Sequence, residues 1–167
     1  MIENLNKFLK IINNPFQSRF FLLAKLPSAF FSGVRVLYAT EQKCVVTVPY
    51  KWFSRNPFGS TYFACLSMAA EMSTGVLGLA YVYKSAPPVS ILVTRIQGDF
   101  IKKAIERTSF TCEDGLLMKQ TIQDAIISNE GRVVTVRSCG RNKAGEIVAQ
   151  FNITWSFKVK ENKRVIL

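Results

Sequence analysis

The feature of this sequence that most restricts its fold is one long apolar segment in the middle of the chain. Between Arg55 and Lys84 the only charged residue is Glu71, and residues 60–78 are rich in Ala, Leu, Met and small side chains. A helix that is apolar on all sides lies either in a protein core or in a membrane. A carboxylate in the middle of a bilayer is costly, so we interpret the segment as a core helix that needs partners around it.

The segments around this helix carry the two-residue period of β-strands. We predict six strands, at residues 34–38, 44–48, 89–97, 104–112, 132–140 and 146–159. The last has the clearest alternation, and most connections are short enough for antiparallel pairing. The sequence therefore predicts an α+β fold, in which an antiparallel sheet of about six strands wraps around a long central helix.

Shorter helices complete the pattern. Apolar residues at helical spacing predict one helix at 3–13 and another at roughly 16–26, which ends at Pro27. A further short helix is expected to open at Asp114. Its apolar side is predicted to consist of Leu116, Leu117, Ile122 and Ile126.

The length of 167 residues suits one domain with a core of its own. We predict a single domain over 1–167, with a helical extension at 1–32 and the core at 33–160.

The absence of histidine restricts the chemistry that the chain can perform. It excludes Ser-His-Asp and Cys-His nucleophile systems and histidine metal sites, so a general base must be a carboxylate, Lys, Tyr or Cys. The four cysteines lie far apart without a CxxC pair, which indicates neither a zinc site nor a redox motif. We expect buried reduced thiols in a cytoplasmic protein, and the first residues do not have the pattern of a secretory signal.

The chain is strongly basic, with 22 Lys and Arg against 11 Asp and Glu and a net charge of +11. Such an excess favours a polyanionic partner, such as a phosphate-bearing small molecule, an anionic lipid or nucleic acid. The charge is scattered, and its densest patch is the tail with Lys158, Lys160, Lys163 and Arg164. Basic and aromatic residues do not interleave as in single-strand binders, so we predict no nucleic-acid partner. A merely solvated basic surface is the other interpretation.

The order of hairpin, buried helix and four strands resembles the hotdog fold. The loop Asn56-Pro57-Phe58-Gly59-Ser60, with Glu71 twelve residues after Gly59, resembles the phenylacetyl-CoA-type branch of hotdog thioesterases. In that branch an Asn, a Gly and a His-Gly-Gly lead into the helix, and an Asp or Glu follows.

The chain resembles still more closely a group of hotdog-like domains without an assigned function, related to the thioesterase domain found behind acetyltransferases. That resemblance covers nearly the full length. It rests on Pro27 and Gly33, "RNPFGS" at 55–60, "AAE" at 69–71, "FIKKA" at 100–104 and "TW" at 154–155.

The resemblance implies an acyl-CoA thioesterase with three catalytic residues. Glu71 would be the general base or the nucleophile, and Asn56 would orient substrate or water. The third is Thr74: helical spacing places Ser67 and Thr74 one turn before and after Glu71, on its face, where they could hydrogen-bond the carboxylate or the water. The implied substrate-binding residues surround the helix start, where a backbone N–H such as that of Ala64 would form the oxyanion hole. They are Gly59, Ser60, Tyr62, Phe63, Ala64 and Ser67.

The resemblance also implies the partners. A coenzyme A thioester would be the substrate, without a cofactor or metal ion, and its phosphates would meet surface Lys or Arg. The chain would form a homodimer or a dimer of dimers with each site between two protomers, and it would not span a membrane.

Other interpretations stay open, because Tyr62, Phe63 and Ala64 replace the His-Gly-Gly of the thioesterase branch. The chain could bind an acyl or other lipid-like ligand without turnover, or act as a structural or regulatory partner. Glu71 could instead be a hydrogen-bonded carboxylate at a dimer seam. Asn56 could be a turn or N-cap residue, and Ser67 and Thr74 could be helix-packing residues.

Overall fold

The structure, a computed structural model, describes residues 2–160. It contains five helices and six strands, which confirms the predicted α+β class with a six-stranded sheet and one long central helix. In chain order they are α1 (Ile2–Asn13), α2 (Pro15–Lys25), α3 (Pro27–Phe31), β1 (Arg35–Ala39), β2 (Cys44–Val48), a 3-10 turn (Trp52–Ser54), α4 (Phe63–Val82), β3 (Val89–Phe100), β4 (Thr108–Cys112), α5 (Gly115–Ser128), β5 (Arg132–Arg141) and β6 (Ile147–Val159).

The six strands form one antiparallel sheet in the order β1-β2-β4-β5-β6-β3. Strand β6 pairs with β5 on one side and β3 on the other, and its alternation is the one that the sequence shows most clearly. Phe151, Ile153, Trp155 and Phe157 point inward and are buried, whereas Asn152 between them is exposed. The sheet therefore presents one apolar face, and α4 packs against strands along its whole width.

Helix α4 is the core helix that the sequence predicts. By length and composition it could cross a bilayer, but 61% of its most apolar window is buried inside the fold. Ala69, Ala70 and Leu77 are completely buried. Its hydrophobic residues are thus covered by the sheet and by α5, which is the arrangement expected when a helix is apolar nearly all round.

A pair of buried hydroxyl groups joins α4 to the sheet. Ser73 Oγ donates to the carbonyl of Ala70 at 2.8 Å and lies 2.8 Å from Ser138 Oγ of β5, and both serines are fully buried. Because the Ser73 proton is already used, Ser138 is the donor in the pair. Removal of Ser73 would leave the Ser138 hydroxyl without an acceptor in the core.

We expect Ser73→Ala to lower the free energy of unfolding by about 1–3 kcal/mol, because a buried hydroxyl loses its partner. Ser138→Ala should cost less, since Ser73 keeps its bond to Ala70, and the double variant should be no less stable than Ser73→Ala. Urea unfolding curves of the three variants, with the exposed Ser28→Ala as control, measure this. Additive losses in the double variant would contradict the shared bond.

The N-terminal helices pack on the open side of α4. Leu5, Phe8 and Ile12 of α1 are buried, and Asn14 caps α2 by accepting from the N–H groups of Phe16 and Gln17. Pro27 does end the second predicted helix, but it also begins α3, which the sequence analysis missed. Proline suits the first position of a helix because the N–H that it lacks has no helical partner there.

Several boundaries differ from the prediction for identifiable reasons. Strand β3 continues past the predicted end at residue 97, through Gly98 to Phe100. Glycine at residue 98 leaves room for the ring of its partner Phe151 on β6, since a Cβ at residue 98 would lie 2.5 Å from that ring. Strand β4 begins at Thr108 rather than at residue 104.

The predicted apolar side of α5 is confirmed for Ile122, which is buried, and for Ile126, which packs partly buried against the core, but it is wrong for Leu116 and Leu117. The helix turns Met118, Ile122 and Ala125 inward and leaves Leu116 and Leu117 about half exposed, because the neighbouring elements cover a different face.

The cysteines are free thiols, as expected: Cys44, Cys65 and Cys112 are buried and Cys139 is partly buried. Burial raises the pKa of the Cys112 thiol to about 12, so it stays protonated at neutral pH.

The basic tail is described only in part. Lys158 is the second-last residue of β6 and Lys160 follows the strand, whereas Lys163 and Arg164 lie outside the described residues.

Candidate active site

Glu71 lies on the one face of α4 that the sheet leaves partly uncovered. Residues that are neither fully buried nor fully exposed recur along this face at steps of three and four: Ala64, Ser67, Met68, Glu71, Gly75 and Leu79. Such steps keep side chains on one side of a helix. The carboxylate is therefore at the helix surface, beside the N-terminal helices.

Next to Glu71 is a cavity of about 500 Å³. Its walls are mostly aliphatic and aromatic side chains from α1, α2, α4 and three strands, including Phe8, Leu22 and Trp155. Among residues 2–160, Lys25 and Glu71 are the charged residues that line it. The size is that of a typical small-molecule site, and the apolar walls suit a hydrocarbon-like ligand.

The carboxylate of Glu71 has no hydrogen-bond donor among residues 2–160. Burial in apolar surroundings raises its pKa, because the charged form loses its hydration. Gly75, one turn later, makes room for it. A Cβ at residue 75 would lie 3.2 Å from Glu71 Oε1 and 3.2 Å from the Trp155 ring. The Glu71 carboxylate therefore lies beside Gly75, displaced from the Glu71 backbone by about one turn toward the C-terminal end of α4.

The raised pKa predicts that Glu71→Gln stabilises the protein near neutral pH. The native state holds the Glu71 proton more tightly than the unfolded chain does, so wild-type stability falls as the pH rises from about 4.3 through the raised native value. Glutamine cannot ionise and avoids this loss. We expect a Tm about 2 °C or more above wild type at pH 7.5, measured by differential scanning calorimetry.

The same comparison below pH 4 provides the internal control, because both side chains are then uncharged. There the two melting temperatures should coincide. A difference that is unchanged between the two pH values would have to come from packing rather than from the ionised carboxylate.

Two hydroxyl groups predicted to assist Glu71 make other bonds in the single chain. Thr74 Oγ1 donates to the backbone carbonyl of Glu71 at 2.8 Å and accepts from Trp155 Nε1 at 2.9 Å, while Ser67 Oγ donates to the carbonyl of Phe63 at 2.9 Å. Thr74 therefore orients Trp155 along the cavity wall. Roles of Ser67 and Thr74 in substrate binding or catalysis stay predictions.

The loop before α4 is closed by Asn56. Its Oδ1 accepts from the N–H groups of Phe58 and Ser60 at 3.0 and 3.2 Å and lies 3.3 Å from Ser60 Oγ. Gly59 takes a φ of +74°, which favours glycine, and nothing lies within 4 Å of where its Cβ would be. Asn56 thus has the geometry of a turn residue, and its predicted contact with substrate stays a prediction.

The start of α4 presents free backbone donors. Tyr62 N–H donates to Ser54 O, and the N–H groups of Cys65 and Leu66 point to Tyr62 O. Among residues 2–160 the N–H groups of Phe63 and Ala64 have no acceptor, and no side chain caps the helix. The predicted oxyanion donor at Ala64 is therefore available for a ligand.

A second cavity of about 370 Å³ adjoins this helix start. Asn56, Ser60, Phe63 and Phe100 line it together with Lys102 and Lys103. Lys102 pairs with Glu146 at 2.6 Å, whereas within the described part of the chain Lys103 Nζ donates only to the Phe58 carbonyl, at 3.2 Å. Lys103 therefore keeps donors for an anion at the rim of this cavity.

One chain does not bring the carboxylate and the helix start together. Glu71 Oε1 lies level with Gly75, eleven residues after Ala64, and eleven residues of α-helix span about 16 Å. A thioester carbonyl that accepts a bond from Ala64 N–H is therefore out of reach of the Glu71 carboxylate of the same chain.

Comparison with known proteins places the sequence in a family. A family model described as a domain of unknown function, DUF4442, matches residues 17–157. The chain belongs to the DUF4442 family. No curated protein matches this DUF4442 chain in sequence.

Solved structures confirm the hotdog fold of the DUF4442 protein. PA5026 of Pseudomonas aeruginosa, a protein of unknown function described as a probable thioesterase, is 17% identical, with a TM-score of 0.73 over 90% of this chain and 99% of its own. OLEI01261 of Chlorobaculum tepidum, of unknown function, is 15% identical, with a TM-score of 0.73 over 89% and 99%. Thioesterase HI1161 of Haemophilus influenzae is 12% identical, with a TM-score of 0.64 over 90% and 95%.

The structure of the DUF4442 protein adds site residues that the sequence analysis did not identify. Trp155 and the α1 and α2 side chains form the cavity beside Glu71, although the sequence shows them only as apolar residues at regular spacing. The sequence does indicate Gly75 as a position of close approach, and the distances of 3.2 Å from its absent Cβ to Glu71 Oε1 and to the Trp155 ring confirm it. No three Cys, Asp or Glu side chains within residues 2–160 group as metal ligands.

Proposed function

We propose that the DUF4442 protein is an acyl-CoA thioesterase whose active site is shared between two copies of the chain. The observation that carries the proposal is Glu71, a carboxylate without a hydrogen-bond donor among residues 2–160, in the wall of an apolar cavity. A raised pKa moves a carboxylate toward the range in which it accepts and returns protons efficiently near neutrality.

In the proposed reaction Glu71 acts as general base. It removes a proton from a water molecule while the water oxygen attacks the thioester carbonyl carbon. The C–S bond then breaks, the thiolate of coenzyme A takes the proton from Glu71, and the carboxylic acid leaves. Direct attack by the carboxylate is the alternative: the Glu71 oxygen bonds to the carbonyl carbon, the C–S bond breaks with loss of the coenzyme A thiolate, and water then hydrolyses the resulting anhydride to the carboxylic acid and free Glu71.

The oxyanion of the tetrahedral intermediate would be bound at the start of α4. Phe63 and Ala64 provide N–H groups that have no acceptor among residues 2–160. The positive end of the helix dipole adds to their effect. This function needs only backbone atoms, so it tolerates the loss of the His-Gly-Gly side chains.

The two cavities suit the two ends of an acyl-CoA. The cavity beside Glu71 is apolar and takes the acyl chain. The cavity at the helix start carries Lys103 at its rim, and this amine would meet the phosphates of coenzyme A. PA5026 is described as a probable thioesterase and HI1161 as a thioesterase, which agrees with the proposed thioesterase activity.

A homodimer supplies what one chain lacks. Since the carboxylate and the helix start of one chain are about 16 Å apart, a complete site takes Glu71 from one copy and Ala64 from the other. Strand β3 is an edge of the sheet, twelve residues long, and exposes Leu92, Ile96 and Phe100 by 62%, 48% and 51%. A long apolar edge of this kind favours pairing with another chain.

A non-catalytic acyl-binding protein is the second candidate. Tyr62 and Phe63 stand where the thioesterase branch has His and Gly, and their rings pack on one another 4.8 Å apart beside the helix start. Side chains at these positions narrow the approach of a thioester to the free N–H groups. The apolar cavity would then hold a ligand without hydrolysis.

Turnover measurements separate the two candidates. The purified chain is incubated with thioesters from acetyl-CoA to palmitoyl-CoA, and the released thiol is detected colorimetrically. Hydrolysis by wild type that Glu71→Ala lacks would support the thioesterase. Saturable binding of an acyl-CoA without hydrolysis of any member of the series would support the second candidate and reject the first. We expect the protein in the cytoplasm, where coenzyme A thioesters and reduced thiols occur together.

A further inference from the structure

Helix α2 exposes a stripe of large apolar side chains to solvent. Phe16, Phe20 and Leu23 are exposed by 88%, 73% and 44%, and steps of four and three residues place them on one side of the helix. The opposite side faces the core, where Ser18 and Leu22 are buried. Helix α2 is therefore apolar both inside and outside, and folding within residues 2–160 covers only its inner face.

A cluster of exposed aromatic rings extends this stripe. The Arg19 guanidinium lies 3.8 Å from the Phe30 ring, which contacts Phe31 at 5.4 Å between ring centroids. Phe31 in turn contacts Phe53 at 6.3 Å, and Phe53 contacts Trp52 at 5.9 Å.

We name the "α2 surface" the exposed stripe of α2 together with these exposed rings, namely Phe16, Phe20, Leu23, Phe31, Trp52 and Phe53. Arg19, which follows Ser18 and precedes Phe20 on α2, joins the stripe to these rings through its contact with Phe30, and exposed apolar surface on this scale marks an interaction site.

The surroundings of the α2 surface are basic. Residues 4–40 contain five Lys and Arg and no Asp or Glu. Lys7 pairs with Glu3, whereas Lys10, Lys25 and Arg35 form no ion pair within residues 2–160. Lys25 borders a groove formed with Phe16 and Phe20 on the outer side of α2.

We propose that the α2 surface docks on the anionic surface of a lipid bilayer. Phe and Leu inserted at the boundary of headgroups and acyl chains, with Lys and Arg beside them, are the arrangement of helices that lie in a membrane interface. An exposed Trp is also favoured in the interface, because its ring has both an apolar and a polar part. At the α2 surface, charge complementarity selects anionic lipid over the same surface of a second copy, because the Lys and Arg of residues 4–40 would then face each other with no Asp or Glu from that stretch between them.

The docking surface lies directly outside the cavity beside Glu71. Ser18, Phe21, Leu22 and Leu26, from α2 and the residue after it, line that cavity, while the stripe on the other side of the same helix faces the bilayer. Docking would thus place the apolar cavity one helix diameter from lipid acyl chains. Vesicle binding needs no turnover, so it stands or fails independently of the proposed thioesterase activity.

Flotation of the full chain with vesicles tests the proposal. Vesicles of phosphatidylcholine alone are compared with vesicles in which phosphatidylglycerol replaces a third of the lipid. We expect wild type to float with the anionic vesicles, less so in high salt, and to remain unbound with the neutral ones. Phe16→Ser/Phe20→Ser should weaken the partition at least about tenfold, because two large apolar side chains no longer insert.

Ile127→Ser is the matched control, since Ile127 is an apolar residue of α5, outside the α2 surface, with 83% exposure. It should float like wild type. Trp52 gives a second measurement, because it is 78% exposed whereas Trp155 is 5% exposed, so a blue shift of emission on vesicle addition reports Trp52. Melting temperatures of the two variants should match wild type, because neither removes a buried side chain.

Three outcomes would overturn the proposal. The first is wild type that fails to float, or that floats equally with both vesicle types. The second is a Phe16→Ser/Phe20→Ser variant that floats like wild type. The third is a change of sedimentation in this variant from a larger to a smaller oligomer without lipid, which would assign the α2 surface to contacts between copies of the chain.

Discussion

Glu71→Gln is expected to lower kcat for thioester hydrolysis by about a thousandfold, within the range lost when a general base is removed. Glutamine keeps the size of the side chain and its place beside Gly75, so acyl-CoA should still bind with similar affinity. A loss in kcat without a rise in KM is the signature of a group that acts on the transition state. Steady-state kinetics with thiol detection, together with calorimetric binding of the acyl-CoA, measure both parts.

The pH dependence of wild type gives this prediction a second test. Glu71 must be deprotonated to accept the proton of water, so kcat/KM should fall as the pH drops through the raised pKa of Glu71. The midpoint of this decline should lie above the value of about 4.3 for an unperturbed Glu. A decline centred at that ordinary value would indicate a solvated carboxylate as the base.

Glu113→Gln is the control for general effects of charge. Glu113 is exposed and pairs with Lys43 at 2.7 Å, and contact with that lysine lowers its pKa. Its removal should leave kcat within about twofold of wild type, since a surface ion pair contributes little. If Glu113→Gln and Glu71→Gln lost activity equally, Glu71 would have no special part in the reaction.

Ala64→Pro should lower kcat by about a hundredfold to a thousandfold, the usual cost of one oxyanion donor. Proline removes the N–H and fixes φ near the helical value, and at the second position of α4 this N–H has no acceptor in residues 2–160, so the first turn accommodates the ring. Ala64→Gly, which keeps the N–H, is the matched control and should retain activity. Circular dichroism and Tm of both variants check that α4 still forms.

Mixing the two inactive variants tests whether the site is shared. In a dimer of one Glu71→Gln chain and one Ala64→Pro chain, one of the two sites has both an intact carboxylate and an intact N–H. Half of the randomly formed dimers are of this mixed type, so refolding an equal mixture should recover about a quarter of wild-type activity. No recovery after refolding, with dimers present by sedimentation, would show that each site lies within one chain.

Local patterns in the sequence established which residues are apolar and at what spacing they recur. The two-residue period of β6 and the lone Glu71 in α4 were readable because side-chain period is a local property of strands and helices. The order of strands and helices followed from these patterns, and with it the hotdog fold. The absence of histidine restricted the candidate base to a few residue types before any contact was known.

Which faces meet was decided only by the tertiary structure. Thr74 lies one turn from Glu71, yet its hydroxyl is bonded to Trp155, which is 81 residues away. Leu116 and Leu117 are as apolar as Ile122, but the neighbours of α5 cover another face. Contacts between residues distant in sequence depend on how whole elements pack, and a local period does not contain that information.

The packing of whole elements also explains the cavity beside Glu71 and the α2 surface. In sequence, α1 has apolar residues at helical spacing and α2 has them on both of its sides, so nothing local distinguishes Leu22 from Phe20. Packing against α4 buries Leu22 beside the cavity of Glu71 and leaves Phe20 in solvent. Sequence thus identified the carboxylate, whereas the tertiary structure surrounded it with an apolar cavity, because only assembled elements enclose a volume.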